Sequence, residues 1–533
     1  MTRIVINKIN SDGVRKDSPP NEPLEKKSSG KKEDYAFKLR KIITDDLSDV
    51  NSSEIEIESS ALWELMKTSL VSYPYHIFHG NLPKTLYSPY EAIVLKWDNL
   101  VRATEDPNAG DEQARSDLKE LLSVVETGSG DPKLETYFRK RTSIKEQNLI
   151  TYEALWTLFP PGGLIYGKVF QGQDQVLIVE DNTSPWPYRD NHFQLLCWTY
   201  DWDGSQFKRL PLRLDFEPYD NEKPINSLPY YPLEYHEDPE ALKTRLIERG
   251  MKYRKLCTAR PGSQMFEYAG QTVFLKKGFS GVQGNEESDS DLISQDVYGF
   301  SSKPYPGGHV TKSVQVTGRV MVDFQSYFRY GLGVASVGDL VPNEGHTECQ
   351  CPTCLHNPAL RTIFRSNFDG ANCDGKQWVP EQYLICPPRV LGYILREKQW
   401  AQLQVDLLID VAPKDHNDTW SSGLKLASKS TKQMILDLVT GHGQRGLEVN
   451  DIVERKGKGL VILLYGPPGV GKTSTAETVA IKARKPLFAI SVADVGTTAK
   501  HVEANLARIF ALATTWQAIL LMSVILFSAR VRY

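Results

Sequence analysis

Gly466-Pro467-Pro468-Gly469-Val470-Gly471-Lys472-Thr473 has the spacing G-x-x-x-x-G-K-[ST], a pattern whose chemistry is phosphate binding. Its glycines let backbone N–H groups close around phosphate oxygens. Pro467 and Pro468 carry no N–H, so they stiffen the entry and donate nothing. The amides of Gly469, Val470, Gly471, Lys472 and Thr473 are the expected donors, with Ser474 completing the set. Lys472 is expected to reach the β- and γ-phosphates, and the Thr473 hydroxyl to ligate Mg²⁺.

The flanks supply the elements such a loop needs. The apolar run Leu460 to Tyr465 predicts a buried parallel strand before it. Ser474 to Arg484 predicts a helix after it, whose N-terminus adds a positive dipole to the site. Leu487 to Ser491 reads as a second strand and Thr498 to Thr515 as a second helix. Val502, Leu506, Ile509, Phe510 and Ala513 share one face of that helix at three- and four-residue spacing. Ala518 to Leu521 begins a third strand, and the whole series is the first half of a P-loop α/β domain.

Trp420 to Leu521 therefore resembles the front half of an AAA+ ATPase module. It is most similar to a fungal-type family with a long N-terminal region before one AAA+ core. The closest stretch runs from Lys456 through the loop to Ala480, with looser similarity at Cys386 to Tyr393 and Ser430 to Ile435. The resemblance implies ATP and Mg²⁺ as ligands and hydrolysis coupled to remodelling of a protein partner. It also implies ring-forming homo-oligomers, and Asp451 and Ile452 near the adenine. The stretch Val492 to Val502, where many unfoldases of the family place a pore-loop aromatic, has none, so polypeptide threading is not expected.

One departure bears on catalysis. The family ends its third strand in an Asp-Glu pair, the Asp acting on Mg²⁺ and the Glu on the attacking water. Here Leu521 is followed by Met522 and Ser523, and no acidic residue occurs after Glu503. As written, the chain is expected to bind ATP without useful turnover, and no catalytic residue is assigned. The codons offer an explanation: reading one base earlier across Met522, Ser523, Val524 and Ile525 allows GAT-GAG-TGT-GAT, which spells Asp-Glu-Cys-Asp. A frame error or a mispredicted splice junction is one account of residues 522–533. The other is a genuine nucleotide-binding interaction protein that does not hydrolyse. Half an α/β domain with open strand edges is also at risk of not folding alone.

The chain has 533 residues and a formal net charge of −3, with the two signs mixed, so no nucleic-acid footprint stands out. The apolar run Ala518 to Phe527 has about ten residues where a membrane span needs about twenty. Met1 to Asp34 is polar and charged in both signs, lacks the apolar core of a secretory signal, and reads as a disordered tail. Seven cysteines in a chain of this size suit a reducing compartment without a disulfide framework. A soluble intracellular protein of cytoplasm or nucleus is the expectation.

The expected layout is a polar tail over 1–50, a mainly helical segment over 51–160 and an α+β partner-recognition region with antiparallel sheet over 161–400. A partial α/β P-loop domain over 415–521 and an atypical tail over 522–533 complete it. Glu54 to Val71, Pro89 to Ala103 and Glu112 to Thr127 read as helices. Leu164 to Phe170, Gln175 to Glu180, Phe193 to Tyr200 and Phe207 to Phe216 read as antiparallel strands between Gly, Asp and Asn turns. Trp198, Tyr200 and Trp202 share one strand face, which fits an aromatic core better than a stacking platform. Leu242 to Cys257 returns to helix with a solvated Lys/Arg face, and Thr272 to Leu275 and Ser313 to Phe324 are strands. Between them, Gly281 to Gly308 reads as a mobile surface loop.

His346, Cys349, Cys351, Cys354 and His356 crowd one segment, with Cys373 further on. Cys351-Pro352-Thr353-Cys354 has zinc-knuckle spacing, so Cys349, Cys351, Cys354 and Cys373 are candidate Zn²⁺ ligands. No second knuckle pairs with it, and a chance cluster of reduced thiols is the competing account. No nucleophile-elbow spacing supports a hydrolase triad.

Overall fold

A computed structural model describes residues 2–9, 15–18, 35–44, 52–70, 85–170, 172–182, 186, 192–259, 262–274, 313–330, 378–411, 420, 424–426, 428–444, 459–491, 495 and 499–523. The candidate zinc residues Cys349, Cys351, Cys354 and Cys373, the loop 281–308, and Asp451 and Ile452 lie outside the described residues.

The first sheet has the order β2-β1-β3-β4-β5, built from β1 (Thr2–Ile9), β2 (Arg15–Ser18), β3 (Phe37–Thr44), β4 (Ser52–Ile57) and β5 (Thr85–Tyr87). β1 and β3 run parallel, with Thr2 opposite Phe37 and Ile9 opposite Thr44. This corrects the reading of Met1 to Asp34 as a tail without structure: Ile4, Val5 and Ile6 form a β-branched run in β1, which pairs with β2 on one side and along its whole length with β3 on the other. It also corrects the start of the first helix. Ser52–Ile57 is strand, and α1 covers Ser60–Ser69 with Ser59 as its cap.

Helices α2 (Glu91–Leu95), α3 (Trp97–Glu105), α4 (Glu112–Thr127) and α5 (Pro132–Gln147) follow. α4 and α5 start on Asp111 and Asp131, whose carboxylates accept the first free amides, and Pro132 occupies the opening turn of α5, where a missing N–H costs nothing. Leu118, Leu121, Leu122 and Val125 of α4 are buried on one face, as their spacing predicts.

β6 (Leu149–Thr151) pairs with β11 (Glu222–Pro224). β7 (Leu164–Phe170), β8 (Gln173–Asn182), β9 (Phe193–Trp202), β10 (Phe207–Phe216) and β12 (Tyr230–Pro232) form a sheet of order β10-β9-β8-β7-β12, antiparallel throughout. Trp198, Tyr200 and Trp202 are 4%, 0% and 6% exposed, so they are core and not a platform.

Helix α6 (Pro239–Thr258), capped by Asp238, crosses to α8 (Pro380–Leu384) at Gly250. A Cβ there would sit 2.1 Å from the Tyr383 carbonyl oxygen, so only glycine permits this approach. The Lys/Arg side of α6 is not wholly solvated, because Arg249 is buried.

β13 (Gln264–Phe274), β14 (Ser313–Val322), β15 (Arg389–Ile394) and β16 (Gln399–Gln404) pair in a closed cycle. β13 bonds β14, β14 bonds β15, β15 bonds β16, and β16 returns to β13, all antiparallel. Closure removes the open edges of these strands. β17 (Leu408–Asp410) adds to β13, and α7 (Phe324–Tyr330) leaves the end of β14, where the sequence had extended the strand to Phe324. Val320, Val390, Ile394 and Leu403 are buried on one face of these strands, and Tyr393 and Trp400 are buried on the other.

α9 (Lys429–Gln444), α10 (Lys472–Lys482), β18 (Leu487–Ser491), α11 (Ala499–Thr515) and β19 (Ile519–Ser523) complete the described chain. β18 and β19 pair in parallel from Leu487–Ile519 to Ser491–Ser523. β19 thus runs two residues beyond the expected boundary at Leu521. Leu460 to Tyr465 is not a strand, and Val461, Leu463 and Tyr465 are 90%, 86% and 93% exposed. The reason is pairing: β18 and β19 bond each other, and among the described residues no strand lies beside this run. Phe510 is half exposed, while Leu512 is buried with Ile509 and Ala513, so the packed face of α11 is rotated from the expected one.

Candidate phosphate-binding site

The loop 466–471 takes up the backbone conformations that its glycines anticipate. Gly466, Gly469 and Gly471 have φ of +151°, +84° and +86°, a region open to glycine and strained for other residues. Gly471 is the cap of α10 and offers no side chain to the helix start. The first intrahelical bond at this end is Thr475 N–H to Gly471 O, 2.9 Å, reinforced by Thr475 Oγ to the same oxygen. The amides of Lys472, Thr473 and Ser474 precede it, so their N–H groups point out of the helix end, where an anion is stabilised.

Lys472 folds back over this end. Its Nζ donates to Gly466 O at 2.8 Å and to Pro467 O at 2.7 Å. The ammonium is therefore fixed at the loop and not extended into solvent. Exchanging two neutral carbonyl acceptors for anionic oxygens strengthens its hydrogen bonds. Thr473 and Ser474 are exposed, as are Pro467, Pro468, Gly469 and Val470. The structure thus brings together Gly466 through Ser474 at one helix end.

α10 packs on β18 and β19. Both helices of this half end in the same reverse turn. In α10, Arg484 N–H bonds Ile481 O and Lys485 N–H bonds Ala480 O, with Arg484 at φ +54°. In α11, Gln517 N–H bonds Thr514 O and Ala518 N–H bonds Ala513 O, with Gln517 at φ +49°. These paired bonds satisfy the terminal carbonyls and turn the chain sharply into each following strand. Met522 and Ser523 occupy the C-terminal end of β19, opposite Ile490 and Ser491.

Among the described residues, no group of three or more His, Cys, Asp or Glu is arranged to hold a metal, so Zn²⁺ has no support there. Cys197, Cys257 and Cys386 are buried free thiols. Burial pushes the Cys257 and Cys386 thiols well above the ordinary value, which makes them inert. No helix among the described residues is long and apolar enough to cross a membrane.

The sequence did not anticipate the polar groups that hold the N-terminal region together. Asp174 accepts from Tyr166 OH at 2.5 Å and pairs with Arg245, while its backbone oxygen accepts from Arg249 Nη2 at 2.6 Å. Asp201 and Arg389 pair 188 residues apart. No local pattern announces partners at such separations. An open groove of about 400 Å³, lined by Tyr137, Lys140, Tyr152, Trp186 and Tyr219, lies beside α5 and β6, far in sequence from the candidate phosphate loop.

Residues 462–527 match the family model described as "ATPase family associated with various cellular activities (AAA)". Residues 140–237 match "Domain of unknown function (DUF7025)". No curated protein and no solved structure matches the chain. The C-terminal part is thus similar to the nucleotide-binding AAA ATPases, and that match spans both the candidate loop and β19.

Proposed function

We propose that this protein binds Mg-ATP at Gly466 to Ser474 and uses the nucleotide to act on a protein partner held by its N-terminal region. The observation that carries this reading is Lys472, fixed by two backbone oxygens over the open end of α10 inside the AAA-matched segment. In the bound state the amides from Gly469 to Thr473 donate to the phosphate oxygens, Lys472 neutralises the β- and γ-phosphates, and the Thr473 hydroxyl ligates Mg²⁺. The three Gly conformations support the loop's fit, since a Cβ at Gly466 would come within 3.1 Å of Val470 Cγ2. The region 161–400 is the proposed partner-recognition part, with its two antiparallel sheets as rigid supports. Oligomerisation follows the family resemblance.

The test is equilibrium binding of Mg-ATP to the full chain, set against Lys472→Ala. Saturable binding that the substitution weakens at least tenfold supports the assignment. Equal binding by both proteins removes it.

A further inference from the structure

The residue that closes α11, Trp516, touches both halves of the chain. It is 4% exposed, and the reverse turn at Gln517 and Ala518 fixes it where α11 gives way to β19. Its indole Nε1–H donates to Asp323 Oδ2 at 2.8 Å across 193 residues. Asp323 is 2% exposed and lies between β14 and α7. Its other oxygen, Oδ1, accepts from Ser326 N–H at 2.8 Å and so caps α7. One buried carboxylate thus closes the β-ring's helix with one oxygen and holds the nucleotide-binding half with the other.

Rings add a second, independent set of contacts at the same place. Trp516 lies 5.3 Å from Tyr393, 6.1 Å from Trp400 and 5.5 Å from Phe488, centre to centre. Tyr393 and Trp400 face each other across β15 and β16, and Phe488 belongs to β18. Phe488, Tyr393 and Trp400 are at most 1% exposed, so the contact is dry. Tilted and edge-on ring pairs at these distances attract beyond their buried area. A charge-assisted hydrogen bond in such surroundings is stronger than a neutral one in water.

The geometry points to this corner as the docking surface by which the nucleotide-binding half is held on the β13–β16 ring, and as the route by which loop occupancy reaches the N-terminal region. The route is short. α10, which carries the loop residues Lys472 to Ser474, packs on β18 and β19, and those strands carry Phe488 and begin next to Trp516. The second part of the inference rests on the nucleotide reading above; the docking itself does not.

Two conservative changes break the bond from opposite sides. D323N keeps an oxygen to cap α7 but presents an amide N–H₂ to the indole, and W516F keeps a ring but no N–H. In the full chain, each raises the unfolding equilibrium constant of the docked state about tenfold, and the double variant is no worse than the more severe single one. Strict additivity of the two overturns the docking bond. Amide exchange with and without Mg-ATP reads the route. In the wild type, nucleotide slows exchange at 466–484 and also at 389–404; in W516F the first effect stays and the second is lost. Slowing at 466–484 alone in the wild type overturns the route. If 466–484 does not respond either, the nucleotide reading fails, and the additivity measurement alone decides the docking.

Discussion

Arg389 and Asp201 form an ion pair with both side chains fully shielded from water, Nη2 to Oδ2 at 2.8 Å. Arg389 opens β15 of the ring, and Asp201 lies near the end of β9 in the five-stranded antiparallel sheet. Tyr253 OH and the Trp202 amide also donate to Asp201 Oδ1, at 3.1 and 2.9 Å. Two sheets that are separate in hydrogen bonding are thereby tied through a charge pair. Removing one member leaves a buried charge uncompensated, which costs about 3–5 kcal/mol. Asp201→Asn and Arg389→Met are therefore each expected to lower the urea midpoint sharply. Changing both, to Leu and Met, is expected to recover most of the loss. Single variants within about 1 kcal/mol of wild type would show that the pair does not tie the sheets.

Lys472 makes the second prediction. Hydrogen bonds to charged groups contribute about 1.5–3 kcal/mol, so Lys472→Ala is expected to weaken Mg-ATP binding by about ten- to a hundredfold. The fold should persist, because Lys472 bonds only Gly466 O and Pro467 O within its own loop. Calorimetric titration beside a circular dichroism spectrum checks both halves of the statement.

Turnover is the third. Met522 and Ser523 end β19, and neither side chain can position Mg²⁺ or activate water as a carboxylate pair does. Phosphate release from Mg-ATP is expected at the uncatalysed background while binding remains. Release that rises in proportion to protein and disappears with Lys472→Ala would contradict this.

Asp174 gives a pH dependence. Burial raises its carboxyl, but the Tyr166 hydrogen bond and the charges of Arg245, Lys168 and Arg249 outweigh burial and hold it below the ordinary 3.8. A carboxyl depressed in the folded state stabilises the fold above its unfolded value, and the contribution is lost as pH falls through the folded one. Asp174→Asn should thus be less stable than wild type near neutrality, with the gap closing in acid below the ordinary carboxylate range. A gap that stays constant from pH 7 down to pH 3 would remove Asp174 as the source.

Gln517 offers a backbone test. At φ +49° it occupies the left-handed region, which disfavours a side chain branched at Cβ most strongly. Gln517→Val is expected to cost about 1–2 kcal/mol, and Gln517→Gly to be tolerated. Thermal unfolding of the two variants distinguishes this from a simple loss of side-chain contacts.

What could be read without the structure was whatever neighbours in sequence control. Glu112–Thr127 has its Asp cap and its four apolar residues within one stretch, and its bounds agree with the reading. Phe207–Phe216 and Leu487–Ser491 also agree, because composition and turns mark both ends. The readings that failed all depended on a distant partner. Leu460 to Tyr465 has the residues of a buried strand but no strand beside it among the described residues. Thr2–Ile9 lay in a segment read as a tail, and it is a strand because β3 pairs with it. Phe510 fitted the helical period, yet the face that packs is centred on Ile509 and Leu512.

The residue order alone set the spacing from Gly466 to Thr473 on which the proposed phosphate site rests, because such a loop is made of consecutive amides and one nearby ammonium. It set most helix and strand limits for the same reason: caps, turns and periodicity act within a few residues. Only the tertiary structure decided that β13 to β16 close a ring, that Asp201 meets Arg389, and that Trp516 meets Asp323. Each of these contacts joins residues more than a hundred positions apart somewhere in its circuit, as 188 for the ion pair and 193 for the indole bond. Such partners are selected by the shape and polarity left over when whole elements pack, and no window of sequence contains that information.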